Sequence, residues 1–260
     1  MLMKTSERSS RNSYVRSFAR GLSVIRSFTP DSPLQTVSQV ATMTGLDRAG
    51  ARRMLHTLEA LGYVHHEGAK FQLTPRVLDL ANIYLTSAPL WKIAQPVMEK
   101  LVSVVDETCS AFVLDSTEIV MVVRVPVRKI MTLNLTIGSR LPAYCTSAGR
   151  ILLGGLSREG FDQALRESNI SKRTKRTVTS VPELKRIILR DHDRGWSLIN
   201  QEFEEGICSM SVPIVDRSGR ITAALNVTAS LNRKTPRKMI STVLPRLKQA
   251  ALEINSLLST

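Results

Sequence analysis

The sequence predicts a two-domain α+β protein: a small winged helix-turn-helix, then a larger domain in which an antiparallel sheet is flanked by helices. Three observations carry this. Two helical segments between Thr36 and Leu61 meet at Gly45 and are followed by two short β-prone runs around Gly68. A helical segment from Arg76 to Ser87 is apolar around nearly its whole circumference. Beyond Pro89, helical and extended segments mix, with three strands in succession near the C-terminus. At 260 residues the chain has room for a small module and one larger domain with a sizeable core. The expected boundaries are a polar, flexible arm over 1–15, the module over 16–74, a linker helix over 75–88 and the second domain over 89–260.

In the arm, Arg8, Arg11 and Arg16 are available to phosphates, although a solvated tail is the simpler assignment. Ser17 to Phe28 forms the first helix, with Phe18, Leu22, Ile25 and Phe28 expected on its core side. Thr36 and Gln39 have capping-box spacing, and the short helix they open ends at Gly45. Asp47 then caps DRAGARRMLHTLEAL, residues 47–61, which holds the sharpest pattern in the chain. At 100° per residue, Gly50, Ala51, Met54, Leu55, Leu58 and Leu61 fill one arc and Arg48, Arg52, Arg53 and His56 the other. One face packs on a core while the other offers cations and an imidazole, as a helix in a DNA major groove requires. On an isolated helix the same arc would be an ordinary solvated face; the flanking helix and wing decide for DNA. Thr57 on the same helix, with His65 and Lys70 on the wing, completes the candidate DNA-contact set. His65 and His66 are adjacent in a strand, so they point to opposite faces and are poorly placed to share a metal. The linker helix is too apolar for one small module to cover, so two chains are expected to pack there.

The larger domain opens with a helix over Trp91–Asp106. Strands are expected over Thr108–Leu114, Glu118–Val125 and Ile130–Ile137, the last closed by Gly138. Helices follow over Ser147–Leu156, Glu159–Ser168 and Pro182–Gly195, then strands over Ser197–Glu202, Ile207–Val215 and Ile221–Thr228. Asp216-Arg-Ser-Gly219 is a hairpin turn with glycine where positive φ is wanted. A long helix over Pro236–Leu258 ends the chain. The basic run Ser171–Thr177 is expected to be a solvated surface loop. The free N–H groups opening the Ser147 helix form an acid-binding site, which Arg140 or Arg150 can complete as a carboxylate clamp. Plain capping at Thr146-Ser147 and a surface salt bridge at Arg150 are the alternatives. Asn226 and Thr228, two apart on one strand, face the same side and interrupt an apolar run, which points to a pocket.

Charge supports a polyanionic partner without locating it. The chain carries net +14, yet residues 1–75 hold only 10 basic against 5 acidic residues. Cys109, Cys145 and Cys208 are scattered and odd in number, which suits a reducing, cytoplasmic setting and argues against disulfides or a zinc site. No apolar run reaches membrane-spanning length, and no signal-peptide segment opens the chain. No metal and no cofactor are expected. An enzyme of small acids with an appended DNA module is the rival class. It lacks a G-x-S-x-G, an H-E-x-x-H or a phosphate-cradling glycine loop.

Module, linker helix and sensor in this order resemble the IclR family of bacterial transcriptional regulators. The segments carrying the resemblance are SFARGLSVIRSF (17–28), TGLDRAGARRMLHTLEALGYV (44–64), LTPRVLDLA (73–81), LPAYCTSAGRILL (141–153) and EEGICSMSVPIVDRSGRITAALNVTA (204–229). The chain looks closest to the branch controlling aromatic-acid catabolism, the protocatechuate, β-ketoadipate and 4-hydroxybenzoate regulators of the PcaR, PcaU and PobR types. The resemblance implies a GAF-like effector domain with its pocket over the sheet. It also implies dimers or dimers of dimers on a palindromic operator, with RNA polymerase as a further partner. By position, Ser147 and Ala148, with Gly149 and Arg150 on the same helical turn, fall where related regulators hold a small organic acid. Ile199, Ile207, Ser209, Asn226 and Thr228 align with pocket-lining positions. At Ile199 the carboxylate-sensing relatives carry an acidic residue. Isoleucine there favours a bulkier, more apolar ring over a glyoxylate-type ligand; the branch implies an aromatic acid or β-ketoadipate as effector, with a short-chain keto acid as the alternative.

Overall fold

The computed structural model describes residues 14–87, 89–127 and 135–259. The chain divides into two compact units, Met1–Ser87 and Ala88–Thr260. Arm residues 1–13, Arg8 and Arg11 among them, lie outside the described residues, as does the 130–134 part of the extended run expected over Ile130–Ile137.

The first unit runs α1 (Arg16–Ser27), β1 (Gln35–Thr36), α2 (Val37–Thr44), α3 (Arg48–Ala60), β2 (Val64–Glu67), β3 (Lys70–Leu73) and α4 (Val77–Ser87). The capping box forms: Thr36 N donates to Gln39 Oε1 at 2.8 Å and Gln39 N to Thr36 Oγ1 at 3.4 Å. Gly45, at φ +68°, stops α2 in a backbone conformation that a β-carbon disfavours. The Asp47 carboxylate then takes Gly50 N at 2.6 Å, starting α3. The wing is an antiparallel sheet in the order β1-β3-β2, turned at Gly68. Val24, Val40, Ala51, Leu55, Leu58, Val64 and Phe71 form the core.

Three expected core residues are outside it. Phe18 and Leu22 are 69% and 43% exposed, because α1 meets α2 and α3 through Val24, Ile25 and Phe28 near its end. Leu61 sits just past the last turn of α3, off the packed arc, and is also exposed. On α4, Leu78, Leu80, Ile83 and Tyr84 are exposed within this single chain.

The second unit runs α5 (Pro89–Val105), β4 (Thr108–Asp115), β5 (Glu118–Val125), β6 (Arg140–Pro142), α6 (Ser147–Gly154), α7 (Arg158–Glu167), α8 (Val181–Asp193), β7 (Ser197–Asn200), β8 (Ile207–Val215) and β9 (Ile221–Ser230). The last helix, α9, starts at Pro236–Lys238, widens through a π-helical turn at Met239–Val243 and continues as Leu244–Ser259. The sheet is antiparallel throughout, in the order β6-β5-β4-β9-β8-β7. Helices α5 and α9 pack on one face; α6 covers the other, with α7 and α8 against it. Residues 135–137 lead into a turn at Gly138 rather than forming a strand, and the short β6 follows instead. Strand β7 ends at Asn200, two residues early, because Gln201 takes a left-handed φ of +63°. Among the described residues no helix is long and apolar enough to cross a membrane.

The 171–177 run is not a merely solvated loop. Thr174 and Thr177 are buried, and their hydroxyls donate to the carbonyls of Gln201 and Glu202, each at 2.6 Å. Arg173 stacks over the Phe203 ring at 4.9 Å. Two small hydroxyls in a basic run were the signal: they pin the loop while Lys172, Lys175 and Arg176 stay in solvent.

Candidate DNA-reading face and effector cavity

Helix α3 presents every predicted side chain outward. Arg48, Arg52, Arg53, His56 and Thr57 are all exposed, while Ala51, Leu55 and Leu58 are buried. Arg48, Arg52 and His56 follow one another at i, i+4, i+8 and line a groove whose opposite wall is His66, Gly68 and Phe71 of the wing. Lys70 and His65 are exposed on the wing, His65 on its outer side beside Gln72 Nε2 at 3.1 Å. His56 carries a contact that a helical wheel does not show: its Nδ1 lies 3.1 Å from Glu59 Oε2. The other oxygen of that carboxylate meets His66 Nδ1.

In the second unit, cross-strand register builds the cavity. One rung of the sheet reads Ser197, Ser211, Asn226, Ser110, Arg124 from β7 to β5, and the next reads Ile199, Ser209, Thr228, Thr108. Polar groups inside a sheet covered on both faces must find partners or a ligand. Ser147, the first residue of α6, sits over them. Its Oγ lies 3.0 Å from Ser209 Oγ and 2.9 Å from Ser211 Oγ, and receives Asn226 Nδ2 at 3.0 Å. Thr228 donates to Asn226 Oδ1 at 2.8 Å, and Thr146 caps α6 through Gly149 N at 3.2 Å. The cavity between sheet and helix measures about 50 Å³. Ser147, Ala148, Ile199, Ile207, Ser209, Asn226 and Thr228 all line it, with Phe112, Met121, Arg124, Phe203 and Glu204.

Two expected residues are not in that lining. Gly149 faces the preceding loop, where a β-carbon would lie 2.2 Å from the Ala143 carbonyl oxygen; its role is close approach of α6 to that loop. Arg150 points away, buried to 2% exposure, and forms a bidentate pair with Glu202 at 3.0 and 2.7 Å while Nε donates to Tyr144 O. Both earlier assignments, a clamp and a surface salt bridge, give way to a buried one. Arg140 is spent at the rim of the sheet on Glu118 (2.8 Å) and Asp115 (2.5 Å), which together push its guanidinium pKa up. The cation that does line the cavity is Arg124. A β-bulge after Met121, where Val122 is skipped in the pairing with β4, places Met121 and Arg124 on one face although they are three apart. Strict alternation from Met121 selects Val123 instead, so only the register exposes Arg124.

A helix-turn-helix with an exposed basic helix, joined to a sheet domain with a polar-apolar cavity between sheet and helix, defines a transcriptional regulator of the sensor type. Residues 17–68 match the IclR helix-turn-helix domain and residues 82–256 the bacterial transcriptional regulator IclR C-terminal domain, and the chain belongs to this family. It is 36% identical over 242 residues to the Pca regulon regulatory protein of Pseudomonas putida, covering 93% of this chain and 83% of that one. A Rhodococcus sp. RHA1 protein assigned as a transcriptional regulator superposes with a TM-score of 0.83 at 45% identity, over 95% of this chain and 99% of that one. The inducer-binding domain of PobR from Acinetobacter, a double mutant in complex with 3-hydroxybenzoic acid, superposes with a TM-score of 0.62 at 30% identity. That match spans 65% of this chain and 99% of the domain.

Proposed function

We propose that this chain controls aromatic-acid catabolic genes from the cytoplasm, reading a palindromic operator with α3 and the wing and sensing a small organic acid in the cavity over its sheet. The observation that carries it is a pair of polar rungs, Asn226-Ser110-Arg124 and Ser209-Thr228-Thr108, lining the cavity together with Ser147 of α6 and with apolar walls beside them. N–H groups of a first helical turn have no intrahelical acceptor, and Ser147 and Ala148, which line the cavity, are the first two residues of α6, where the positive end of the helix dipole favours a carboxylate. Ile199, Ile207, Phe112 and Phe203 supply apolar walls for a ring, and Asn226 and Thr228 suit a ring hydroxyl. Arg124 lies two strands from β9, roughly 10 Å away at ordinary strand spacing. A monocarboxylic ring engages the α6 pole alone, whereas β-ketoadipate, a dicarboxylate, engages both. The 3-hydroxybenzoic acid held by the inducer-binding domain of PobR from Acinetobacter supports this ligand class.

The exposed Leu78, Leu80, Ile83 and Tyr84 of α4 suit burial against a second copy, and a dimer or dimer of dimers presents two modules to two half-sites. The ligand changes transcription only by binding one arrangement of the modules better than another. The regulator role of the family supports a sensor reading over turnover. The test is a thermal-shift panel of protocatechuate, 4-hydroxybenzoate, β-ketoadipate, glyoxylate and pyruvate with wild type and R124Q. Stabilisation by the ring acids in both proteins, and by β-ketoadipate in wild type alone, is expected; stabilisation by glyoxylate or pyruvate only overturns the ligand class. For DNA, R52A should lose operator preference yet keep ligand binding.

A further inference from the structure

We infer that Glu59 is a positioning residue that fixes which ring nitrogen His56 offers to a base, and so sets the sequence preference at the position His56 contacts. This rests on α3 being the DNA-reading helix. Glu59 Oε2 lies 3.1 Å from His56 Nδ1 and Oε1 meets His66 Nδ1, so one carboxylate is shared by the recognition helix and the wing. An ionised carboxylate only accepts, so both Nδ1 atoms carry hydrogen. The side chain of Glu59 is 29% exposed, and the hydrogen bonds from His66 and then His56 hold its pKa below the usual carboxylate value. Phe71 closes the cluster from below: its ring centroid lies 5.9 Å from that of His56 and 5.4 Å from that of His66. Both imidazoles therefore turn Nε2 away from Glu59, and the His56 side chain, 52% exposed, stands on the stripe with Arg48 and Arg52.

The consequence is chemical. A neutral His56 with hydrogen on Nδ1 shows a bare Nε2, an acceptor that pairs with the amino groups of cytosine or adenine. A protonated His56 shows a donor that suits guanine N7 and O6. The charged groups around the cluster are Arg52 and Arg53 one turn back on α3, Glu67 at the end of β2 and Lys70 opposite it on β3. None of these supplies a second acceptor to Nδ1 in the structure, so the tautomer depends on Glu59.

The experiment selects sites from a duplex library with one randomised base pair at a time, for wild type, E59Q, E59A and R52A. Wild type should prefer cytosine or adenine over guanine at one position by at least about fivefold. E59A should flatten that position while keeping the Arg52-dependent one. E59Q, with a single acceptor oxygen, should keep an intermediate preference. In the unaltered protein, long-range proton–nitrogen spectra should show Nδ1–H at His56 and His66. Nε2–H at His56, or a preference unchanged in E59A, overturns the inference while leaving α3 as the reading helix. Absence of any sequence preference in wild type removes both.

Discussion

Replacing Arg150 by methionine tests the reassignment of this residue from ligand clamp to structural pin. The guanidinium is 2% exposed, pairs twice with Glu202 and donates to Tyr144 O. Its loss strands a carboxylate that is 12% exposed, which also takes Val178 N at 3.2 Å. Breaking one side of a buried ion pair costs about 3–5 kcal/mol. For a unit the size of Ala88–Thr260 that corresponds to roughly 6–20 °C in Tm. Both tryptophans, Trp91 and Trp196, lie in this unit, so intrinsic fluorescence during thermal and urea unfolding reports it. The double variant R150M/E202L should recover about 1–4 kcal/mol relative to R150M, because apolar packing replaces both charges. Ligand binding should weaken in R150M as well, since Glu202 anchors the turn that carries Phe203 and Glu204 to the cavity. A variant that keeps its Tm within about 2 °C and loses only ligand would refute this and return Arg150 to the binding site.

G149A should destabilise the second unit by at least about 1–3 kcal/mol in urea titration, because the added methyl meets Ala143 backbone that cannot swing aside. Asp216 accepts Ser218 N and Oγ and Arg220 N in the β8–β9 hairpin, with Ser218 Oγ foremost in lowering its pKa to about 2. A depressed carboxylate stabilises the fold above its unfolded pKa of about 3.9 and loses that contribution as pH falls toward 2. Acid unfolding of D216N should therefore show a shallower slope between those values. Burial pushes the Cys145 and Cys208 thiols up to about 11 and raises Cys109 further. A thiol reagent at about pH 8 should leave all three unlabelled until denaturant is added; prompt labelling of the native protein contradicts the burial.

Local chemistry was readable where a single element carried it. The α3 face, both helix caps and the wing turn follow from hydroxyl, carboxylate and glycine positions within a few residues of one another. Strands β5 and β8 kept their expected bounds because turn residues bracket apolar runs. What the linear chain concealed depends on pairing between distant segments. Asn226 and Thr228 stood out as polar interruptions, but Ser110 and Ser211 join them only once β4, β9 and β8 are in register. Arg124 needed a bulge to face the cavity, and the direction of Arg150 depended on Glu202, 52 residues away. Phe18 and Leu22 share a helical stripe with Ile25, yet α1 is covered only at its C-terminal end.

The hollow over the sheet, at about 50 Å³, is a third of the roughly 150 Å³ that admits benzene in an apolar interior. A ring acid cannot slip into such a space without first prising it wider. Apparent affinity for such a ligand then scales with the fraction of molecules whose walls stand further apart. Detection and movement are in that case one event: whatever fills the hollow has already displaced its walls.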